Sequence, residues 1–285
     1  MIYGLDQFFQ LLTDNPGAEL YLSAGSVVWV RIKGKLSLVE NSEILTTEVV
    51  EKYLASLLNA EQKNIFESTG EIDLVYSHKL SGDFRISAYP HNRGVSVKIR
   101  KIGTIPALET IGITAVDLQS LKSGLVIITG PKNSGKSGDY LAFLQGLVNQ
   151  TCVKIVSFEK LIERVIFGKQ GILEQRQLKK HVRNLSESLR NLADEGGDVL
   201  GLDLDLDAEI LAQALVFAER GGLVVLVMNL LELASVQSRI ISSFTPEKQP
   251  EVRNILEKNL RLIIGRTVTE TGEVKREIWR KTINS

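Results

Sequence analysis

The sequence predicts an α/β chain of two domains, a mixed α+β domain followed by one built on a mainly parallel sheet. Three observations lead there. Residues 124–137, GLVIITGPKNSGKS, set a run of apolar β-formers before a loop of the form GxxxxGK[ST] and then a helical stretch. Beyond this loop, strand and helix patterns alternate, which implies parallel strands covered on both faces with the loop at a strand's carboxyl end. Before it, short strands of alternating polarity flank two helical segments, the pattern of an α+β domain.

Taken in order, residues 5–12 (LDQFFQLL) have helical spacing, which Asn15-Pro16-Gly17 breaks. Strands are expected over 19–23, 27–33 and 35–39, with Gly34 at the last turn. Thr46 or Thr47 can cap a helix through Leu58 with Val50, Leu54 and Leu57 on one face, and a second helix covers 61–67. Strands follow over 72–76, 83–89 and 94–100. In the last two, Phe84, Ile86 and Ala88 oppose Arg85, Ser87 and Tyr89, and Val95, Val97 and Ile99 oppose Ser96, Lys98 and Arg100. Residues 101–118 have glycines, a proline and little periodicity, so they read as a linker between a domain at 1–100 and one at 119–285. The second domain should hold strands at 124–129, 153–158, 198–204 and 222–228. Its helices are expected at 135–149, 185–194, 208–220, 232–243 and 248–260, before a hairpin over 261–282 that turns at Thr271-Gly272.

Charge balances at 34 basic and 34 acidic residues in 285, so no global field draws the chain to nucleic acid or an anionic membrane. The single cysteine, Cys152, precedes an apolar run and reads as a small core residue. No signal peptide opens the sequence. The longest apolar run, 223–231, is far too short for a membrane span and contains Asn229, so the expected location is cytoplasmic, without direct membrane insertion. His78, His91 and His181 are scattered, with no partner at metal-ligand spacing. Trp29 and Trp279 read as packing or interface residues.

The chemistry concentrates in the loop. Gly130 and Gly135 let the backbone wrap past Pro131 so that the successive N–H groups of Lys132-Asn133-Ser134 and the helix start face phosphate oxygens. Lys136 would reach the β- and γ-phosphates and the Ser137 hydroxyl would ligate Mg²⁺, giving ATP or ADP with Mg²⁺ as the expected ligand. Asn133 stands where a third glycine often lies, although asparagine tolerates left-handed geometry. Gly138 lowers helix propensity, and Asp139 suits a helix N-terminus while bringing negative charge towards a polyphosphate.

The order of segments resembles the secretion ATPase superfamily of type II secretion and type IV pili, and within it the twitching-motility (PilT-like) pilus retraction ATPases. The resemblance covers roughly residues 15–282. It is carried by AELYLSAGSVVWVRIKGKL, DFRISAYPHNRGVSVKIRKI, GLVIITGPKNSGKS, ILEQRQL, LSESLRNL and FTPEKQPEVRNILEKNLRLII. It implies a PAS-like N-terminal domain, a RecA-like ATPase domain, and a cytoplasmic ring, a hexamer in the family. The implied partners are copies of itself or a paralogous ATPase, and the inner-membrane platform of a pilus or secretion machine. Retraction ATPases continue into a C-terminal helical region, whereas this sequence stops near the terminal hairpin.

Against the family's motifs, the holding parts and the cutting parts diverge. The acidic box IEDPIE reads here Phe158, Glu159, Lys160, Leu161, Ile162, Glu163. Glu159 and Glu163 could still polarise a water, but Lys160 would favour their charged state and compete for their hydrogen bonds. The second acidic segment, DPDIILVGEMRD, reads GDVLGLDLDLD, with Leu204 at the glutamate and Leu206 at the arginine. Asp203 ends an apolar run as a Walker B aspartate would, yet replaces the lost group only if the strand slips or has ended. Asp203, Asp205 and Asp207 read first as a polar strand end leading into a helix, and second as a metal site. The histidine box places Asn229 where a proton acceptor stands, and the arginine segment keeps Arg190 but puts Asp194 at its second arginine. Arg85, Arg93 and Arg100 match family positions that approach the nucleotide, the alternative being an exposed polar sheet face. The resemblance therefore implies a nucleotide-binding homologue with slow or absent hydrolysis, a regulatory or structural ring subunit. A working motor using Glu159, Glu163 or Asp203, and a nucleotide-free scaffold, stand as alternatives.

Overall fold

The computed structural model describes residues 4–269 and 273–281. The chain divides into two compact units, Met1–Gly103 and Thr104–Ser285.

The first unit opens with α1 (Leu5–Asp14), which buries Phe8, Phe9 and Leu12. Strands β1 (Glu19–Ser23), β2 (Trp29–Ile32) and β3 (Lys35–Leu38) follow. Next come α2 (Thr47–Leu57), capped by the Thr46 side chain, and α3 (Ala60–Thr69), closed by left-handed Gly70. Strands β4 (Ile72–His78), β5 (Gly82–His91) and β6 (Gly94–Lys101) complete a PAS-like antiparallel sheet of order β3-β2-β1-β6-β5-β4. Its alternation is the one the sequence shows: Leu20, Leu22, Phe84, Ile86, Val97 and Ile99 enter one core with α1 and α2. The opposite face is polar, with Glu19 against Lys98 and Arg31, and Arg85 against Asp73.

The second unit begins in the stretch expected to be a linker, and there the structure differs. Residues 104–121 form a 3₁₀ turn, Glu109–Ile111, and a short helix α4 (Ala115–Ser120) capped by Thr114. Leu108, Ile111, Ile113 and Leu118 are buried with Val126, Ile128 and Phe143. Their apolar positions are spread over a turn and six helical residues, too few for a periodicity to register.

The sheet of this unit comprises β7 (Gly124–Thr129), β8 (Lys154–Glu159), β9 (Ile172–Gln177), β10 (Val199–Asp203), β11 (Leu223–Met228), β12 (Leu260–Val268) and β13 (Val274–Arg280). Its order is β13-β12-β7-β11-β10-β8-β9, parallel except for the β12–β13 hairpin. Helices α5 (Lys136–Gln150), α6 (Leu185–Asn191), α7 (Ala208–Glu219), α8 (Ser235–Ser242) and α9 (Gln249–Asn259) accompany it. One face packs on α5 and the other on α7 and α9, so β7, β11 and most of β10 are buried on both sides. Strand β9 was not foreseen: ILEQRQ is an edge strand of half-buried polar residues and lacks the apolar run of its neighbours. Cys152, expected in the core, is exposed, because it stands in the turn before β8. The turn expected at Thr271-Gly272 lies outside the described residues. No described helix is long and apolar enough to cross a membrane.

Because Ile113 is fully buried, Ile113→Ala should lower unfolding stability by about 2–5 kcal/mol in urea titration. Exposed Val116→Ala should stay within about 0.5 kcal/mol. A free tether would leave both variants at the wild-type midpoint.

Candidate functional site

Strand β7 is buried along its whole length and delivers residues 130–137 to the sheet's carboxyl edge. The loop takes the left-handed conformations it needs: Asn133 has φ +62° and Gly135, the N-cap of α5, has φ +88°. Asparagine thus supplies the geometry where glycine is common. A Cβ on Gly130 would lie 2.8 Å from Ser134 Oγ and collide with the Arg266 carbonyl, so only glycine fits there. At the helix start the first N–H groups have no carbonyl one turn earlier to bond, and they open onto the loop.

Lys136 is only 8% exposed, and its Nζ donates to the Pro131 carbonyl at 3.0 Å. Burial lowers its pKa from the ordinary lysine value, while the charge of Asp203 pulls it back up and Lys132 pushes it down. Ser134 Oγ is buried with no hydrogen-bond partner. Ser137 and Gly138 are half-buried in the first turn of α5, and Lys132 and Asn133 form the exposed rim.

Asp139 departs from expectation. Its carboxylate is fully buried and is held by two arginines, so it brings no uncompensated charge to the loop. Arg266 Nη1 lies 2.5 Å from Oδ1, and Arg276 donates from Nε to Oδ2 at 3.0 Å and from Nη2 to Oδ1 at 2.9 Å. Arg266 also donates through Nε to the Ser134 carbonyl. Sequence reasoning missed both arginines. The available signal was Asp139 in the first turn of a buried helix, requiring a cation, with two arginines in a predicted hairpin.

The acidic side of the site lies across the sheet. Asp203 and Glu159 are direct partners in the β10–β8 register. Glu159 is 3% exposed, and its Oε1 accepts from Ser157 Oγ at 2.7 Å and from Gln175 Nε2 at 2.9 Å. The Ser157 hydroxyl in turn lies 2.8 Å from that of Tyr140, a fully buried residue of α5. Burial raises the Glu159 pKa to about 7 against those two hydrogen bonds, with Asp203 and Glu163 adding to the rise. This corrects the role expected of Lys160. Its side chain is exposed, with Nζ 3.6 Å from Asp205 Oδ2, and it does not hold Glu159 in the charged state. Glu163 is half-buried.

Alternation settles the orientation of the next segment. A Cβ on Gly201 would strike Tyr140 of α5, whereas Leu202 and Leu204 join the cluster around α7. Asp203, the last residue of β10, therefore faces α5 and the loop without any slip of the strand, and Leu204 faces away. Asp207 caps α7 by accepting from Ile210 N at 2.9 Å, as a strand end leading into a helix would. Asn229 and Asp194 are exposed, and Arg190 donates to Ser186 Oγ at 3.0 Å. Among the described residues no three His, Cys, Asp or Glu side chains gather into a metal-holding group.

In the first unit, Arg85 forms a two-pronged pair with Asp73, its Nε 2.9 Å from Oδ1. Arg93 lies along Gly25, with Nη1 3.4 Å from that carbonyl, and Arg100 stands between Glu19 and Arg85 in the strand register. All three belong to that unit's polar surface.

A loop after a central parallel strand, a helix starting at its glycine-lysine pair, and an acidic strand end one strand removed define a RecA-like P-loop fold. No family model matches the chain. It is 29% identical over 254 residues to the type IV pilus retraction ATPase PilT of Pseudomonas aeruginosa, covering 88% of this chain and 74% of that protein. It is 26% identical over 247 residues to a twitching motility protein of Neisseria gonorrhoeae, covering 86% of this chain and 66% of the other. A crystal structure of the pilus retraction motor PilT with bound ADP superposes with a TM-score of 0.80 at 23% identity, covering 99% of this chain and 84% of that one. The chain is thus similar to a type IV pilus retraction ATPase and to a twitching motility protein, in keeping with the sequence resemblance.

The folded protein keeps the Glu159 proton up to about pH 7, whereas the unfolded chain releases it near 4.5. Stability from this group is therefore lost as pH rises between those values. Glu159→Gln should be increasingly stabilised relative to wild type from about pH 5 to about pH 8, by up to about 3 kcal/mol in urea unfolding. An offset that does not change with pH would contradict this.

Proposed function

We propose that this protein binds ATP or ADP at residues 130–138 and hydrolyses it slowly or not at all, acting as a regulatory or structural subunit of a homo- or hetero-oligomeric ring. The observation that carries the proposal is the loop itself: left-handed Asn133 and Gly135 with Lys136 folded over it at the start of α5. Its residues fit a polyphosphate. The Ser134 hydroxyl is a buried donor without a partner, and the Lys136 ammonium can exchange the Pro131 carbonyl for an anionic oxygen. Ser137 would hold Mg²⁺, which when bound offsets phosphate charge. ADP in the PilT structure is consistent with this ligand.

Slow hydrolysis is supported on the acidic side. Glu159 is enclosed and spends Oε1 on Ser157 and Gln175, Leu204 packs in an apolar cluster, and Asn229 cannot accept a proton. Loss of one such group commonly costs about 10²–10³ in rate. The ring, by analogy a hexamer, would work with a paralogous ATPase or the inner-membrane platform of a pilus or secretion system, placing it at the cytoplasmic face of that membrane. Arg85, Arg93 and Arg100 would serve the nucleotide of their own or a neighbouring subunit.

One observation favours a second reading, a working motor: Asp203 faces the loop beside a Glu159 whose pKa lies at about 7, near the value that suits a general base. Calorimetry and phosphate release on one preparation separate the readings. Mg-ADP should bind, and Lys136→Ala should weaken it at least about tenfold, the loss of a hydrogen bond between charged groups. Turnover at the rate of an active motor, abolished by Asp203→Asn, would establish the motor. Absence of any binding would leave a protein-binding scaffold.

A further inference from the structure

We infer that Arg266 and Arg276 are positioning residues of the phosphate loop, through which the terminal hairpin fixes the loop's shape for an anion. The inference rests on the nucleotide-binding reading. Asp139 lies in the first turn of α5 and is fully buried, a placement that requires compensation by cations. Two guanidinium groups supply it, one from each strand of the hairpin and from directly paired positions, Arg266 on β12 and Arg276 on β13. Both are largely enclosed, with side chains 14% and 15% exposed. Two cations and one anion leave this cluster with a net positive charge behind the loop.

Arg266 does more than neutralise. Its Nε holds the Ser134 carbonyl, its own carbonyl abuts Gly130, and its guanidinium lies against Gly135, where a Cβ would come within 2.8 Å of Nη2. One residue thus braces the loop at its first glycine, its last glycine and the serine between them. With the Ser134 carbonyl drawn back onto Arg266, the neighbouring amides are left to face the anion. Arg276 fixes Asp139, and Asp139 fixes the second prong of Arg266, so the hairpin, the helix and the loop share one hydrogen-bonded cluster.

A purely stabilising role and a positioning role are separated by two variants. Arg266→Lys keeps a cation for Asp139 but loses the planar fork that reaches both Asp139 and Ser134. The triple variant Asp139→Leu, Arg266→Met, Arg276→Met replaces the whole buried cluster with apolar groups, an exchange that often leaves stability unchanged or improved. In nucleotide-free protein, amide hydrogen exchange over residues 132–137 should accelerate about tenfold in both variants while the melting temperature of the triple variant stays at or above wild type. Mg-ADP affinity, measured by calorimetry, should fall about tenfold in parallel. Wild-type exchange and affinity in Arg266→Lys, or in a triple variant that melts as wild type does, would overturn the inference. Wild-type protein that does not bind Mg-ADP would overturn the nucleotide reading instead, and the exchange measurement would still decide what Arg266 does to the loop.

Discussion

The parallel pairing of β7, β11, β10 and β8 is the constraint on which the site depends. Its register brings Thr129, Met228, Asp203 and Glu159 to a common edge, although they are far apart in the chain. With both faces of these strands buried, a slip by one residue would turn an apolar row into the wrong cluster, so the register is strongly held. The same alternation that fills the core decides which carboxylate meets the loop. Gly201 makes room for Tyr140, Leu202 enters the opposite core, and Asp203 inherits the loop side.

Charge is distributed unevenly around this edge. The loop side carries the helix start, Lys136 and a cluster of two arginines about Asp139. Across the sheet, Glu159 is buried so deeply that its ionisation is deferred to about pH 7, and Asp203 next to it discourages a second negative charge. A polyphosphate placed at the loop would meet fixed donors already oriented, which lowers the cost of binding it. The groups that would polarise an attacking water are less well served, since Glu159 is spoken for by Ser157 and Gln175.

Much of this was legible in the sequence because it is local or periodic. The strand alternation of Phe84 to Tyr89 and of Val95 to Arg100, the Thr46 cap and the loop from Gly130 to Ser137 all follow rules that act over a few residues. What was hidden is tertiary. The partners of Asp139 lie 127 and 137 residues away, and no spacing announces them. Lys160 sits beside Glu159 in the chain, yet neighbouring residues at a strand end point apart, and it went to Asp205. Residues 101–118 looked like a tether because two glycines and a proline mask the buried apolar side chains of Leu108, Ile111, Ile113 and Leu118. The polar edge strand β9 gave no apolar run to read, though its Gln175 reaches the buried Glu159.

The proposed function requires the backbone of residues 130–137, with Lys136, to cradle a phosphate chain. A crystal structure of the protein grown with Mg-ADP tests it most directly. The expected result is the β-phosphate on the amides of residues 134–137, with Lys136 Nζ moved from the Pro131 carbonyl to a phosphate oxygen. Nucleotide bound elsewhere, with Lys136 still on Pro131, would contradict it.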